Sequence, residues 1–255
     1  MDARAIAENL GLGSSGAATL DRNAPAVVIG ARGGIGRALA EALVAAEVAA
    51  VHALSRSGAE VAGAVAGVAD VTDEASLAAA AERIGGGLGL VIVATGVLHG
   101  EGLAPERSWR AIDGAAMARV LAVNTIGPAL VAKHFLPLLA RTGKPVFAVL
   151  SARVGSIGDN RLGGWHSYRA SKAALNMLIA NFAIELRARN PAALAVGLHP
   201  GTVDTGLSAP FQRGVADGKL FSPAFSAERL LAVLDALRPQ DSGGCFAWDG
   251  ARIAP

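Results

Sequence analysis

The chain is short of the residues that most often carry chemistry by themselves. One cysteine in 255 residues, Cys245, leaves no internal disulfide to form, and its neighbours Gly244 and Phe246 give it no partner as a nucleophile or metal ligand. Five histidines, His52, His99, His134, His166 and His199, stand at no metal-ligand spacing, so no metal site is expected. The sequence has no Gly-x-Ser-x-Gly elbow, which removes the commonest hydrolase reading of an α/β sheet. Charged residues make up only 17 %, the net charge is +2 and no basic run reaches five, so the pI near 9.0 does not mark a nucleic-acid surface. The first twenty residues hold Asp2 and Glu8 between broken apolar runs, a pattern of neither secretory signal nor membrane span. A soluble, cytoplasmic protein without a membrane or nucleic-acid partner is the expectation.

What is abundant points to a buried sheet. Hydrophobic residues are 52 % of the chain, with 32 glycines and many Ala and Val, which suits parallel strands under closely packed helices. Short apolar runs at 26–29, 49–54, 65–69, 88–93, 146–150, 194–198 and 244–248 alternate with helix-like segments. They predict an α/β, doubly wound, mostly parallel sheet of seven strands with helices on both faces, in one domain over 25–255 after an arm at 1–24. Residues 206–226 carry Pro210, Phe211, Phe221, Pro223 and Phe225 without periodicity and are expected to form a lid over a substrate.

The only tyrosine, Tyr168, stands four positions ahead of Lys172, one of four lysines. On a helix that spacing places both on one face, and an ammonium near a phenol favours the phenolate, so Tyr168 is the first candidate for an acid/base. Between the first strand and the first helix lies Gly30, Ala31, Arg32, Gly33, Gly34, Ile35, Gly36. Glycines before a helix N-terminus let an anion reach the backbone amides, which makes this loop a candidate pyrophosphate cradle. The second strand ends at Ser55 and Arg56, where a dinucleotide fold selects its cofactor. With no carboxylate there to bind a 2′-hydroxyl, Arg32 and Arg56 are expected to clasp a 2′-phosphate, favouring NADP(H) over NAD(H).

Further candidates also follow strands. Asp70 and Val71 would bound an adenine pocket or shape a turn, and Ala94, Thr95 and Gly96 would let a ribose lie close to the backbone. Ser151 ends the fifth strand, and Pro200, Gly201, Thr202, Val203, Asp204 and Thr205 follow the sixth. Asn124, on an apolar helical face, needs a partner: either its own helix backbone or a water beside Lys172.

Taken together, Gly30-x3-Gly34-x-Gly36, Asp70-Val71, Asn124, Ser151, Tyr168-x3-Lys172 and Pro200-Gly201 resemble the short-chain dehydrogenase/reductase family over roughly residues 26–250. The segment from Arg153 to Asn160, with Gly163-Gly164-Trp165 and Asp249-Gly250, looks like its C-factor and sniffer-type carbonyl reductase branch. The resemblance implies a Rossmann fold in which Tyr168 is the acid/base, Lys172 binds the nicotinamide ribose and lowers the Tyr pKa, and Asn124 holds a relay water. It assigns Gly30, Gly34 and Gly36 to pyrophosphate, Asp70 to adenine and Thr205 to the carboxamide or phosphate region. Three positions depart from the pattern: Ile29 replaces a Thr, Ala94-Thr95-Gly96 replaces Asn-Ala-Gly, and the substrate-binding Ser falls on Ala152, one residue after Ser151.

The leading expectation is therefore an NADP(H)-dependent reductase of a small carbonyl or alcohol substrate, with Ser151 as the candidate hydroxyl. One alternative is a cofactor-binding protein with little catalysis that acts through partners, as Ala152 suggests. Another is a sugar-nucleotide epimerase or dehydratase, against which only about fifty-five residues remain after Gly201. Small residues such as Ala170, Ala173, Ala174 and Ala180 on the apolar helices 116–139 and 167–189 predict a homodimer or homotetramer.

Overall fold

Strand β1 (Ala26–Ile29) is wholly buried and serves two cores at once. Side chains of a strand alternate between faces, so Ala26 and Val28 join one apolar cluster while Val27 and Ile29 join the other. The computed structural model describes residues 20–58, 60–100 and 102–255, which leaves nearly all of the expected arm at 1–24 outside the described residues. After β1 come α1 (Gly34–Ala45), β2 (Val51–Ser55), β3 (Val65–Val68), α2 (Glu74–Ile84) and β4 (Leu90–Val93). Then come α3 (Gly114–Leu121), α4 (Gly127–Phe135), β5 (Val146–Leu150), α5 (His166–Arg189) and β6 (Leu194–His199). The chain finishes with β7 (Thr202–Val203), β8 (Leu220–Phe221), α6 (Pro223–Ala236), β9 (Cys245–Ala247) and β10 (Arg252–Ile253).

The main sheet runs β10-β9-β6-β5-β4-β1-β2-β3, with every pairing parallel except β10 on β9. It thus has eight strands where seven were expected. The added β10 and the separate β7–β8 pair are two residues long each, too short to show a period. Helices α1 and α6 cover one face through Leu39, Leu43, Leu230 and Leu234, and α2, α4 and α5 cover the other through Leu77, Val131, Phe135, Leu175 and Ile179. Strand order reverses between β1 and β4, and ligands of such sheets bind at the carboxyl ends beside that reversal.

The helix expected at 116–139 is interrupted by a π turn at Ala122–Ile126, a form that concentrates at functional sites. The stretch Gly114–Leu138 has the length and apolar composition of a membrane span, yet Val131, Ala132 and Phe135 within it are core residues. Far from the cleft, the buried Lys144 donates to the carbonyls of Leu234, Asp235 and Leu237 at 3.1, 2.7 and 3.0 Å. It thereby satisfies the free end of α6, whose last carbonyls have no partners within the helix.

Candidate active site

One stripe of α5 does two jobs. Leu175, Ile179, Ala183 and Leu186 pack into the core, and the same face carries Tyr168, Ser171 and Lys172 one to two turns earlier, all buried. The expected Tyr168 and Lys172 pair therefore exists, with the Lys172 ammonium 5.8 Å from the Tyr168 ring centre. Lys172 Nζ donates to the Leu150 carbonyl at 2.7 Å, which ties the helix to the end of β5. Gly155, in the turn after β5, makes this fit possible: a Cβ there would lie 2.7 Å from Lys172 Cβ.

Electrostatics differ from the sequence expectation. Burial pushes the Tyr168 phenol up to about 12 rather than toward neutrality, because burial disfavours the phenolate. Burial also brings Lys172 down to about 8, with the nearby Cys245 thiol opposing that fall, and the same effect raises Cys245 to about 11. At neutral pH the structure thus holds a protonated phenol and a mostly charged amine.

Asn124 finds a partner that neither expectation named. In the π turn, its Oδ1 accepts the Val97 N–H at 2.8 Å while Nδ2 donates to the Val97 carbonyl at 2.9 Å and to Ser171 Oγ at 3.1 Å. Ser171 in turn donates to the Tyr168 carbonyl at 2.7 Å, so Asn124 joins the loop after β4 to the helix turn that bears Tyr168. Gly96 lies beside this junction: a Cβ there would sit 3.6 Å from Asn124 Oδ1 and 3.9 Å from Lys172 Nζ.

Ser151 needs correction as the candidate hydroxyl. Its Oγ donates to Asn176 Oδ1 at 2.6 Å, beneath the cleft. Ala152, extended at φ −156° and ψ 149°, packs with Tyr168 and Leu98 instead. Neighbouring residues of extended chain face opposite ways, so the position facing Tyr168 belongs to a methyl group.

On the other side of the switch point lies an open cradle. Gly30 has φ +95°, and a Cβ there would be 2.9 Å from the Ala94 carbonyl carbon; at Gly36 it would be 2.3 Å from the Gly30 oxygen. Both positions exclude side chains so that α1 can start against β1 and β4. Gly33 holds the N-cap position without a side-chain cap, so the first amides of α1 have no side-chain acceptor. Ile35 and Ala94 pack on the α1–α6 core. Ser55 Oγ and Thr95 Oγ1 are buried at strand ends without a hydrogen-bond partner. Uncapped amides, absent side chains and unpartnered hydroxyls fit the phosphates and hydroxyls of a dinucleotide.

The remaining candidates line up around that cradle. Arg32 reaches Ser57 Oγ at 2.6 Å across the end of β2, and the exposed Arg56 holds no ion pair among the described residues. Asp70 Oδ1 accepts the amide and hydroxyl of Thr72 at 2.9 and 2.7 Å, a turn-shaping role, and the buried Val71 meets Gly127 beside the π turn. Thr205 reaches the glycine loop, since a Cβ on Gly34 would lie 2.7 Å from Thr205 Cγ2. Pro200 and Gly201, the latter at φ +79°, turn the chain toward the buried Val203, with the Pro200 carbonyl accepting the Ser226 hydroxyl at 3.1 Å.

At the mouth, Trp165 and Phe211, both noted in the sequence, come together with His99, whose role there was not read from it. Trp165 stands edge-on to Tyr168 at 6.2 Å and tilted against Phe211 at 5.0 Å, and His99 meets Phe211 at 5.6 Å. With Nε2 as its protonated nitrogen, His99 donates to the carbonyls of Gly206 and Leu207 at 3.0 and 3.1 Å, fastening the start of the 206–226 segment. His99 and Glu106 are distant in sequence from Tyr168 and carry no motif. Behind the site, His199 Nδ1 is buried without a partner, and burial and Arg153 hold its pKa down to about 4 against a smaller opposing effect of Asp249.

The family model described as short chain dehydrogenase matches residues 24–215. The chain belongs to that family. As a short-chain dehydrogenase it is an NAD(P)-dependent oxidoreductase. It is 36% identical over 142 residues to the C-signal protein of Myxococcus xanthus, covering 56% of this chain and 80% of that one. It is 34% identical over 181 residues to 1-hydroxy-2-glutathionyl-2-methyl-3-butene dehydrogenase of Rhodococcus sp. (strain AD45), covering 71% and 76%. Among solved structures it resembles the NADPH-bound carbonyl reductase from chicken fatty liver, with a TM-score of 0.78 and 28% identity over 93% of this chain and 96% of that one.

Proposed function

We propose that this short-chain dehydrogenase reduces an apolar carbonyl compound with NADPH, Tyr168 giving the proton. The observation that carries the reading is the state of Tyr168: a phenol held protonated by burial, on the same helix face as a buried lysine, within an apolar cluster. A protonated group suits proton donation to an oxygen that is becoming an alkoxide. When bound, the cofactor supplies the hydride. Lys172 and the Asn124–Ser171 bridge hold the helix turn that bears the phenol, and Gly96 leaves room beside them. Leu98, Ala152, Val154, Trp165 and Phe211 surround Tyr168 with carbon, which excludes water and favours an aromatic or branched apolar substituent on the substrate.

Arg32 and Arg56 beside the end of β2, with no carboxylate at Ser55, support a preference for NADPH. The relative from chicken liver is described as NADPH-bound. Exposed Ile126, Met177 and Ile184 on α4's approach and on α5 support a symmetric dimer or tetramer. The test is NADPH oxidation in the presence of benzaldehyde, with NADH as the competing cofactor and light scattering for the assembly. Faster turnover with NADPH than NADH supports the reading; no oxidation with any of a panel of aromatic and aliphatic aldehydes and ketones rejects it. Ala152 favours a second reading, a cofactor-binding protein with weak catalysis, and in that case NADPH binds tightly while turnover stays near background.

A further inference from the structure

Glu106, in the loop after β4, is the only buried carboxylate among the described residues, 7% exposed, and no lysine or arginine pairs with it there. A buried ion without a counter-ion costs several kcal/mol unless donors surround it. Apart from its own amide, its donors are at the start of α5. The Ser167 amide approaches both carboxylate oxygens, at 3.3 and 3.2 Å, and the Ser167 hydroxyl donates to Oε1. Burial pushes this carboxyl up, but the Ser167 hydroxyl, the amides of Glu106 and Ser167, and His166 outweigh that and leave it below the usual carboxylate range.

Helix α5 needs this help because its own N-cap residue cannot give it. That position is Trp165, at φ 51° and ψ 42°, whose indole has no acceptor for a first-turn amide. A non-glycine residue in left-handed conformation costs about 1–2 kcal/mol, so Trp165 must be held. The Glu106 carbonyl accepts its N–H, while Arg169 fixes the preceding Gly163 and Gly164 carbonyls at 3.2 and 3.1 Å. Glu106 thus secures both the residue just before Tyr168 and the indole that stands against its ring.

We propose that Glu106 is a positioning residue that fixes the Tyr168 phenol by capping α5 from the neighbouring loop. The inference rests on the reading of Tyr168 as proton donor only for its kinetic arm. Because Tyr168 is the only tyrosine, protein grown with fluorotyrosine gives a single fluorine resonance from the site. Glu106→Ala is expected to shift or broaden that resonance, whereas Glu106→Gln, which keeps an acceptor oxygen, leaves it in place. Lys144→Met, which loosens α6 far from the site, serves as the control for general destabilisation and leaves it too.

In turnover of benzaldehyde, Glu106→Ala is expected to lower kcat about ten- to a hundredfold, the scale of a small misplacement, with KM and NADPH affinity within about twofold. Ser167→Ala, which removes one of three donors, lowers it about threefold, and Glu106→Gln stays within about threefold of the unmodified protein. A fluorine resonance in Glu106→Ala that superimposes on that of the unmodified protein overturns the proposal, as does an equal change in Lys144→Met. If Tyr168→Phe itself keeps full turnover, the proton-donor reading fails, and the fluorine resonance still decides the role of Glu106.

Discussion

Two helices begin at the same cleft and meet the same physical problem in opposite ways. At α1, the amides of Gly34, Ile35 and Gly36 come after a glycine N-cap that provides no side chain. At α5, a carboxylate from another loop occupies the equivalent place. An uncapped helix start attracts anions and a start closed by Glu106 repels them. Under the proposed function, the phosphates of NADPH belong at α1 and its uncharged reduced nicotinamide belongs at α5.

The largest way to break that division is to remove the chemistry from the α5 side alone. Tyr168→Phe is expected to lower turnover by about 10²–10⁴, the usual contribution of a general acid, while NADPH affinity stays within about twofold. Equal losses in binding and turnover would show that the two sides are not separable. The complementary change is Gly36→Ala, which puts a methyl 2.3 Å from the Gly30 carbonyl oxygen. It should weaken NADPH binding at least about a hundredfold by displacing the start of α1, given that close backbone approach is what the glycines permit. The fluorotyrosine resonance should stay where it is.

A smaller change sharpens the cofactor side. Arg56→Ala is expected to reduce NADPH affinity roughly ten- to a hundredfold and leave NADH affinity unaltered, since one charge-assisted hydrogen bond contributes about 1.5–3 kcal/mol. Equal affinity for both cofactors in the unmodified protein would reject the Arg32 and Arg56 clasp. On the α5 side, Ala152→Ser restores a hydroxyl next to Tyr168 and should raise turnover at least about tenfold, below the 10²–10³ attributed to a preformed oxyanion donor. No gain in that variant, with a dead Ser151→Ala, would mean that Ser151 leaves Asn176 during turnover.

The α1 side was the more legible in sequence because its function depends on local pattern. Gly30, Gly34 and Gly36 stand between a strand and a helix, a spacing visible in the sequence, although only Gly30 and Gly36 are glycine because of nearby backbone; at Gly34 a Cβ would strike the Thr205 side chain. Strand positions were legible for a similar reason: runs such as Ala26 to Ile29 and Val146 to Leu150 are apolar throughout because both faces are covered. The α5 side depends on contacts between distant segments. Tyr168 and Lys172 share a helix and were visible, but Glu106 lies 61 residues before Ser167 and His99 lies 107 before Gly206. The direction of the Tyr168 shift was hidden as well, because it depends on how deeply the phenol is buried rather than on which charge lies nearby.

His199 carries a consequence for the whole molecule in acid. Its imidazole ends β6 with Nδ1 buried and unpartnered, so the folded chain refuses a proton down to about pH 4, whereas the unfolded chain accepts one near 6.5. Between those values the unfolded state binds more protons, so folding stability falls as pH drops from 6.5 to about 4 and this contribution then levels off. A shift of this size corresponds to as much as about 3 kcal/mol, a large part of what holds a typical domain folded. Urea midpoints of the unmodified protein should therefore drop between pH 7 and about pH 4.5 by more than those of His199→Gln. One imidazole at the end of a strand thus ties the stability of the whole sheet to mild acidity, with no part in the chemistry of the cleft.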